Sequence, residues 1–177
     1  MIICGYAGIG KSYLAEHFPN VMDLESTPFE KDWERYAKCA IHYHKQGRLV
    51  LTSCHLELRE QLCNMLDWRQ ERLLTLFPAI EDKEIYRKRY EERGNTPEFI
   101  KIQMDNWEKW HKHNGLHGEW LRRLKSGGET LYDYIIRMSN KPDVACYYCS
   151  YDGCPVPEQD KPYCKNPFEP YLNKWNV

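Results

Sequence analysis

Nowhere in the 177 residues does an apolar run approach the roughly 20 residues a membrane-crossing helix requires, so no membrane partner is expected. An excess of one charge is missing too. The 25 basic side chains meet 26 acidic ones, which removes the broad positive field of a general nucleic-acid or membrane binder and leaves only local clusters for phosphate. No secretory leader pattern is visible, because Met1 to Cys4 lead straight into a glycine-rich stretch, and a cytoplasmic, reducing location is the expectation. Internal repeats are absent. The composition of a disordered chain is absent as well: 29% charged and 42% hydrophobic residues are enough to bury one solid core.

What is present is an alternation of short apolar runs and helical periodicities. Met1 to Cys4 reads as a buried strand and Lys11 to about His17 as a helix ended by Phe18-Pro19-Asn20. Val21 to Glu25 reads as a second strand, with Asp23 and Glu25 on one face. Phe29 to Gln46 has helical spacing and is stopped by Gly47. Arg48 to Thr52 is a central strand reaching Ser53, Leu56 to Leu66 a helix, Arg72 to Phe77 a strand, and Asp82 to Arg93 a charged helix stopped by Gly94. Thr96 caps a helix with Pro97 at its first position, expected to run to about Asn114-Gly115. Trp120 to Leu124 and Leu131 to Met138 supply a last strand and helix. This order predicts an α/β fold with a parallel sheet covered by helices on both faces. Six of the ten prolines follow Asn140, so the domain is expected over residues 1–140 and an irregular Cys- and Pro-rich tail over 141–177.

Gly5-Tyr6-Ala7-Gly8-Ile9-Gly10-Lys11-Ser12 has the spacing of a phosphate-binding loop (Walker A) between a strand and a helix. Glycines let consecutive backbone N–H groups converge on phosphate oxygens, and the following helix adds its positive end. Lys11 can reach the β- and γ-phosphates, and the Ser12 hydroxyl can hold Mg²⁺. Gly5, Gly8, Ile9, Gly10, Lys11, Ser12 and the next residue, Tyr13, are the candidate contacts to ATP or GTP. A dinucleotide fold would leave Lys11-Ser12 unexplained. Carboxylates at Asp23 and Glu25 lie on the loop side of a parallel sheet, where they could serve Mg²⁺ or accept a proton, or simply emerge into solvent. The third strand ends in Thr52, Ser53 and His55 without the Asp usual in P-loop ATPases, which leaves the Mg²⁺ task to Asp23 or Ser53. Arg89 and Arg93 share a helix face and suit phosphate, while Arg87 points elsewhere; the alternative is a solvated helix laced with Glu–Arg pairs. Trp33, Tyr36, Tyr43 and His44 could stack an acceptor base, but their spacing fits core better.

The glycine loop, the Asp23-Leu24-Glu25 strand end and the late Arg-rich helix together resemble the small P-loop kinases, the nucleoside monophosphate kinases and the shikimate and gluconate kinases, over roughly residues 1 to 138. Gly5 to Glu25 also resembles phage-encoded proteins of unassigned function. The resemblance implies a five-stranded parallel sheet of order 2-3-1-4-5, Asp23 and Glu25 near Mg²⁺ and the acceptor, and Arg87, Arg89 and Arg93 in or beside a lid over the ATP. Lys11, Asp23, Glu25, Arg89 and Arg93 are then the candidate catalytic residues, with Arg87 a further nucleotide contact. The expected activity is ATP-dependent phosphoryl transfer to a small molecule, foremost a nucleotide or nucleoside. The alternatives are an NTP-hydrolysing regulatory or processing protein and a nucleic-acid 5′-end kinase.

Cys4, Cys39, Cys54 and Cys63 fall in predicted elements and read as packing thiols. Cys146, Cys149, Cys154 and Cys164 crowd the tail. The Cys-x-x-Cys step at Cys146 and Cys149 could open a structural Zn²⁺ site completed by Cys154 and Cys164; unliganded thiols and disulfides are the other readings. Elemental analysis of protein purified without added metal separates them. A site requires about one equivalent of zinc, and protease resistance of the tail that does not change on chelation excludes it.

Overall fold

The computed structural model describes residues 1–67, 73–112 and 115–139. Five parallel strands form one sheet: β1 (Ile2–Gly5), β2 (Val21–Asp23), β3 (Leu49–Ser53), β4 (Leu73–Phe77) and β5 (Glu119–Arg123), in the order β2-β3-β1-β4-β5. Among the described residues six α-helices complete a three-layer α/β/α fold, α1 (Lys11–His17), α2 (Trp33–Lys45), α3 (Leu56–Met65), α4 (Lys83–Glu92), α5 (Pro97–Asp105) and α6 (Trp107–His111), and α7 (Leu131–Ser139) follows β5 in the chain. The fold class and strand order are those expected. The chain divides into two compact units. The first, Met1–Leu131, carries the whole sheet, and the described part of the second is the remainder of α7. The cysteines proposed for zinc, and the tail expected from residue 141, lie outside the described residues. Among the described residues no helix is long and apolar enough to cross a membrane.

The middle strands are apolar on both faces because both faces are covered. Ile2 and Cys4 of β1, Val50 of β3 and Leu73 of β4 pack against Tyr36, Ala37 and Ala40 of α2 and Leu58 and Leu62 of α3. Within that layer the Thr52 hydroxyl donates to Cys4 Sγ at 3.2 Å. Burial pushes the Cys4 thiol up to about 12 despite that bond, so the thiol stays protonated and inert. Thr52 therefore belongs to the core and not to the site edge. Gly5 pairs in register with Ser53 of β3 and Leu76 of β4, which brings the C-terminal ends of three strands level. Between β1 and β3 the chain direction of the crossovers reverses, the place where open α/β sheets leave a crevice.

Three elements differ from the sequence expectation by more than one residue. β2 ends at Asp23, with Leu24 N–H adding one bond to Leu51 O at 2.8 Å, so Glu25 lies beyond the strand. α2 begins at Trp33, because Glu30 and Lys31 take left-handed backbone (φ 49° and 68°) that no helix continues through; Asp32 then caps α2, accepting from Arg35 N at 3.0 Å. The single helix expected after Pro97 is two, broken at Asn106 (φ −99°, ψ 3°).

One buried ion pair ties α3 to the far edge strand. Arg59 Nε donates to Glu119 Oε2 at 2.8 Å and a second guanidinium nitrogen bonds Oε1, while the Thr75 hydroxyl donates to Oε2 at 3.2 Å. Both side chains are withdrawn from water (1% and 0% exposed), so removing one partner leaves an uncompensated charge. Arg59→Met is expected to lower unfolding free energy by about 3–5 kcal/mol. The double variant Arg59→Met/Glu119→Leu should lie closer to the native protein than Arg59→Met alone, as read by urea denaturation.

Candidate functional site

The loop between β1 and α1 curls over the C-terminal end of the sheet. Gly8 and Gly10 carry φ of +80° and +99°, backbone that L side chains rarely adopt. Inside the curl the Lys11 ammonium donates to Gly5 O at 3.0 Å and Tyr6 O at 3.2 Å. At its exit the Ser12 hydroxyl donates to Asp23 Oδ2 at 2.9 Å, while Asp23 Oδ1 is buried without a hydrogen-bond partner. The sheet register makes that meeting possible, since β2 ends at Asp23 two strands away from the loop.

The loop is held from behind by α4. A Cβ on Gly8 would stand 2.9 Å from Tyr90 Cε1 and 3.4 Å from Tyr86 Cδ1, so the backbone lies directly on the two rings. The Tyr90 hydroxyl donates to Ala7 O at 3.0 Å. Ile9 is fully buried, and its carbonyl accepts from Leu131 N at 2.8 Å. Between β5 and α7, Gly127 N donates to Oδ1 and Gly128 N to Oδ2 of buried Asp82, just before α4, both at 2.9 Å. Arg89 on α4 donates to Gly128 O and lies 4.8 Å over the Tyr86 ring. Glycine loop, α4 and the Gly127-Gly128 turn thus form one hydrogen-bonded frame. Asp82 and Tyr90 carried no sequence signal of their own: an aspartate before a helix and a tyrosine at helical spacing are common.

A cavity of about 1160 Å³ opens in front of this frame. Of the residues singled out from sequence, Gly5, Gly8, Gly10, Lys11, Ser12, Tyr13, Asp23, Glu25, Arg89 and Arg93 line it. So do Ser53 and His55 from the end of β3, joined by an Nδ1–Oγ contact of 2.9 Å. Partial withdrawal from water lowers the His55 pKa, the Lys11 and Lys31 charges push the same way, and Glu57 opposes them. Tyr13 is half exposed (50%) and stacks on His17 with centroids 4.1 Å apart. Arg87 lies outside the lining and bonds Glu84 at 3.0 Å on the helix's outer face, as the solvated-helix reading has it. Trp33, Tyr36, Tyr43 and His44 do not line the cavity either. Tyr36 is core: its hydroxyl donates to Leu24 O and accepts from Ser53 N at 3.1 Å, fixing the ends of β2 and β3 together. Besides Tyr13 and His55, the aromatic residues that line the cavity are Tyr6, Phe77, Phe99 and Trp110, none of which the sequence reading took as a site residue. Among the described residues no group of three or more His, Cys, Asp or Glu side chains is placed to hold a metal ion.

Strand order 2-3-1-4-5 with a glycine loop leaving the central strand is a P-loop NTPase-like topology, a fold consistent with a nucleotide-binding phosphotransferase. No family model, no curated protein and no solved structure matches the chain.

The contact at Gly8 is the most exacting in the frame. Gly8→Ala must place a Cβ against Tyr90 at positive φ, and a cost of about 1–2 kcal/mol is expected. That corresponds to a fall in melting temperature of roughly 2–8 °C, measured calorimetrically against Gly47→Ala, whose Cβ meets nothing within 4 Å.

Proposed function

We propose that the protein transfers the γ-phosphoryl group of a nucleoside triphosphate, ATP or GTP, to a hydroxyl of a small molecule. The observation that carries this reading is the Ser12–Asp23 hydrogen bond at the exit of the loop, with the second Asp23 oxygen left unpartnered. A hydroxyl and a carboxylate offering hard oxygens beside a phosphate cradle suit Mg²⁺ better than a softer ion. Ser12 and Asp23 would hold it, directly or through water. The ion would neutralise charge on the β- and γ-phosphates.

The chain's own residues account for the rest. Lys11 now rests on two neutral carbonyls, and exchanging them for phosphate oxygens replaces ordinary hydrogen bonds by charge-assisted ones about twice as strong. Arg89 and Arg93 line the same cavity and would face the equatorial oxygens of the phosphoryl group in flight. Glu25 lines the cavity beyond β2, where a carboxylate could take the proton of an acceptor hydroxyl. That step forms a bond from the acceptor oxygen to the γ-phosphorus, breaks the bond to the β–γ bridging oxygen, and leaves the diphosphate and the phosphorylated acceptor.

The test is transfer of label from γ-labelled ATP to a panel of nucleosides, nucleotides, shikimate and gluconate, with Lys11→Ala as the blank. Asp23→Asn is expected to lower transfer on the order of a hundredfold, with affinity for the triphosphate changed only a few fold, because the carboxylate acts mainly in the transition state. Release of inorganic phosphate with no labelled acceptor would replace this reading by an NTP-hydrolysing protein. Equal activity in Lys11→Ala would remove both.

A further inference from the structure

Beside its charged residues the cavity has an aromatic part of its wall. Phe77 from β4, Phe99 from α5 and Trp110 from α6 line it, with Tyr6 behind the loop. These rings interlock: Tyr6 lies 5.6 Å from Phe77 and 6.2 Å from Trp110, and Phe99 packs edge-on to Tyr90 at 5.4 Å. Two polar atoms in this wall lack what a buried polar group requires. The Tyr6 hydroxyl, on a side chain only 2% exposed, and the Asn95 Oδ1 are both buried with no hydrogen-bond partner. Such a group costs about 1–3 kcal/mol relative to a satisfied one. Gln103 lines the same end and adds a second carboxamide. Aromatic rings, a phenol able to donate or accept, and amides able to do both are the chemistry that recognises a planar heterocycle by its faces and its hydrogen-bonding edge.

We propose that this aromatic end of the cavity binds a nucleobase, and that the phosphoryl acceptor is therefore a nucleoside or nucleotide and not an aliphatic polyol. The inference rests on the phosphotransferase reading for the words "phosphoryl acceptor", while the base pocket stands on its own geometry. It places base recognition at the α5–α6 wall and leaves the aromatic residues of α2, whose spacing fits core better, outside the cavity. Tyr6 would serve both ends, with its carbonyl on Lys11 and its unpartnered hydroxyl available to the base.

The experiment is calorimetric titration with adenosine, guanosine, cytidine and thymidine in the presence of a saturating non-hydrolysable ATP analogue, with shikimate and gluconate as controls. At least one nucleoside is expected to bind and both controls to remain silent. Tyr6→Phe, which removes a single unpartnered oxygen, should weaken that nucleoside about two- to tenfold without lowering the melting temperature. Phe99→Ala should weaken it roughly tenfold through lost stacking. Silent nucleosides alongside a bound analogue would overturn the assignment of this end to a base-bearing acceptor while leaving the phosphotransferase reading intact. Nucleoside binding that neither variant weakens would overturn it as well. Nucleoside binding with no analogue bound would support the pocket and remove the phosphotransferase reading.

Discussion

Everything in front of the sheet is referred to one close approach, the backbone of Gly8 lying on the rings of Tyr86 and Tyr90. There is room for no side chain between them, and the left-handed backbone at Gly8 and Gly10 turns the loop so that this contact is made. Because the two tyrosines are one helical turn apart on α4, the contact sets both the height of α4 above the sheet and its rotation. Arg89 then has little freedom left. It follows Tyr86 by three residues and precedes Tyr90 by one, so the helix that braces the loop also carries a guanidinium to the cavity. Asp82 closes the arrangement at the other end of the helix by accepting from two successive glycine N–H groups.

The aromatic cluster under the loop extends the same logic into the core. Tyr6 is in ring contact with Phe77, Tyr86, Trp107, Trp110 and His111, drawn from β4, α4 and α6. Burial raises the Tyr6 phenol strongly, so it is neutral at any ordinary pH and acts as donor or acceptor, never as a charge. A neutral polar group beside aromatic faces is suited to a heterocycle, whereas the Lys11, Arg89 and Arg93 end is suited to phosphate. The two ends of one cavity thus differ in the chemistry they offer.

Local signals made much of this legible in the residues. Strand–loop–helix punctuation at Gly5 to Ser12, the stop at Phe18-Pro19, the cap at Thr96 with Pro97, and the apolar runs of the middle strands all act over a few residues, and the structure follows them closely. The errors come where distant contacts decide. Asn106 breaks a helix whose apolar spacing runs on, because Trp107 must turn inward to donate to Ile80 O at 2.8 Å. The core reading preferred for the α2 aromatics holds at Tyr36, although the tertiary fold is what separates a core face from a pocket wall. Helical spacing already sets Arg87 apart from Arg89, but their partners, Glu84 and the distant Gly128, are told only by the fold. Arg59 and Glu119 stand sixty residues apart as ordinary surface-type charges, and no spacing rule pairs them.

Of the arginines that line the cavity, the two from α4 and its C-terminal end, Arg89 and Arg93, are not equivalent. Arg89 sits inside α4, bonded to a carbonyl, stacked on Tyr86 and pressed against Gly128, where an added Cβ would lie 3.0 Å from its terminal nitrogen. Its side-chain entropy is already lost in the free protein, so in the proposed reaction it meets phosphate without further ordering. Arg93 follows the last turn of the helix, exposed, with Gly94 at φ 71° just after it and Asn95 N–H returning to Tyr90 O at 3.0 Å. That glycine end satisfies the helix carbonyls and lets the chain leave at a sharp angle toward α5. Motion on nucleotide binding, if concentrated anywhere in this wall, belongs at Arg93 to Asn95, downstream of the frame. Arg89 would keep its place and Arg93 would close.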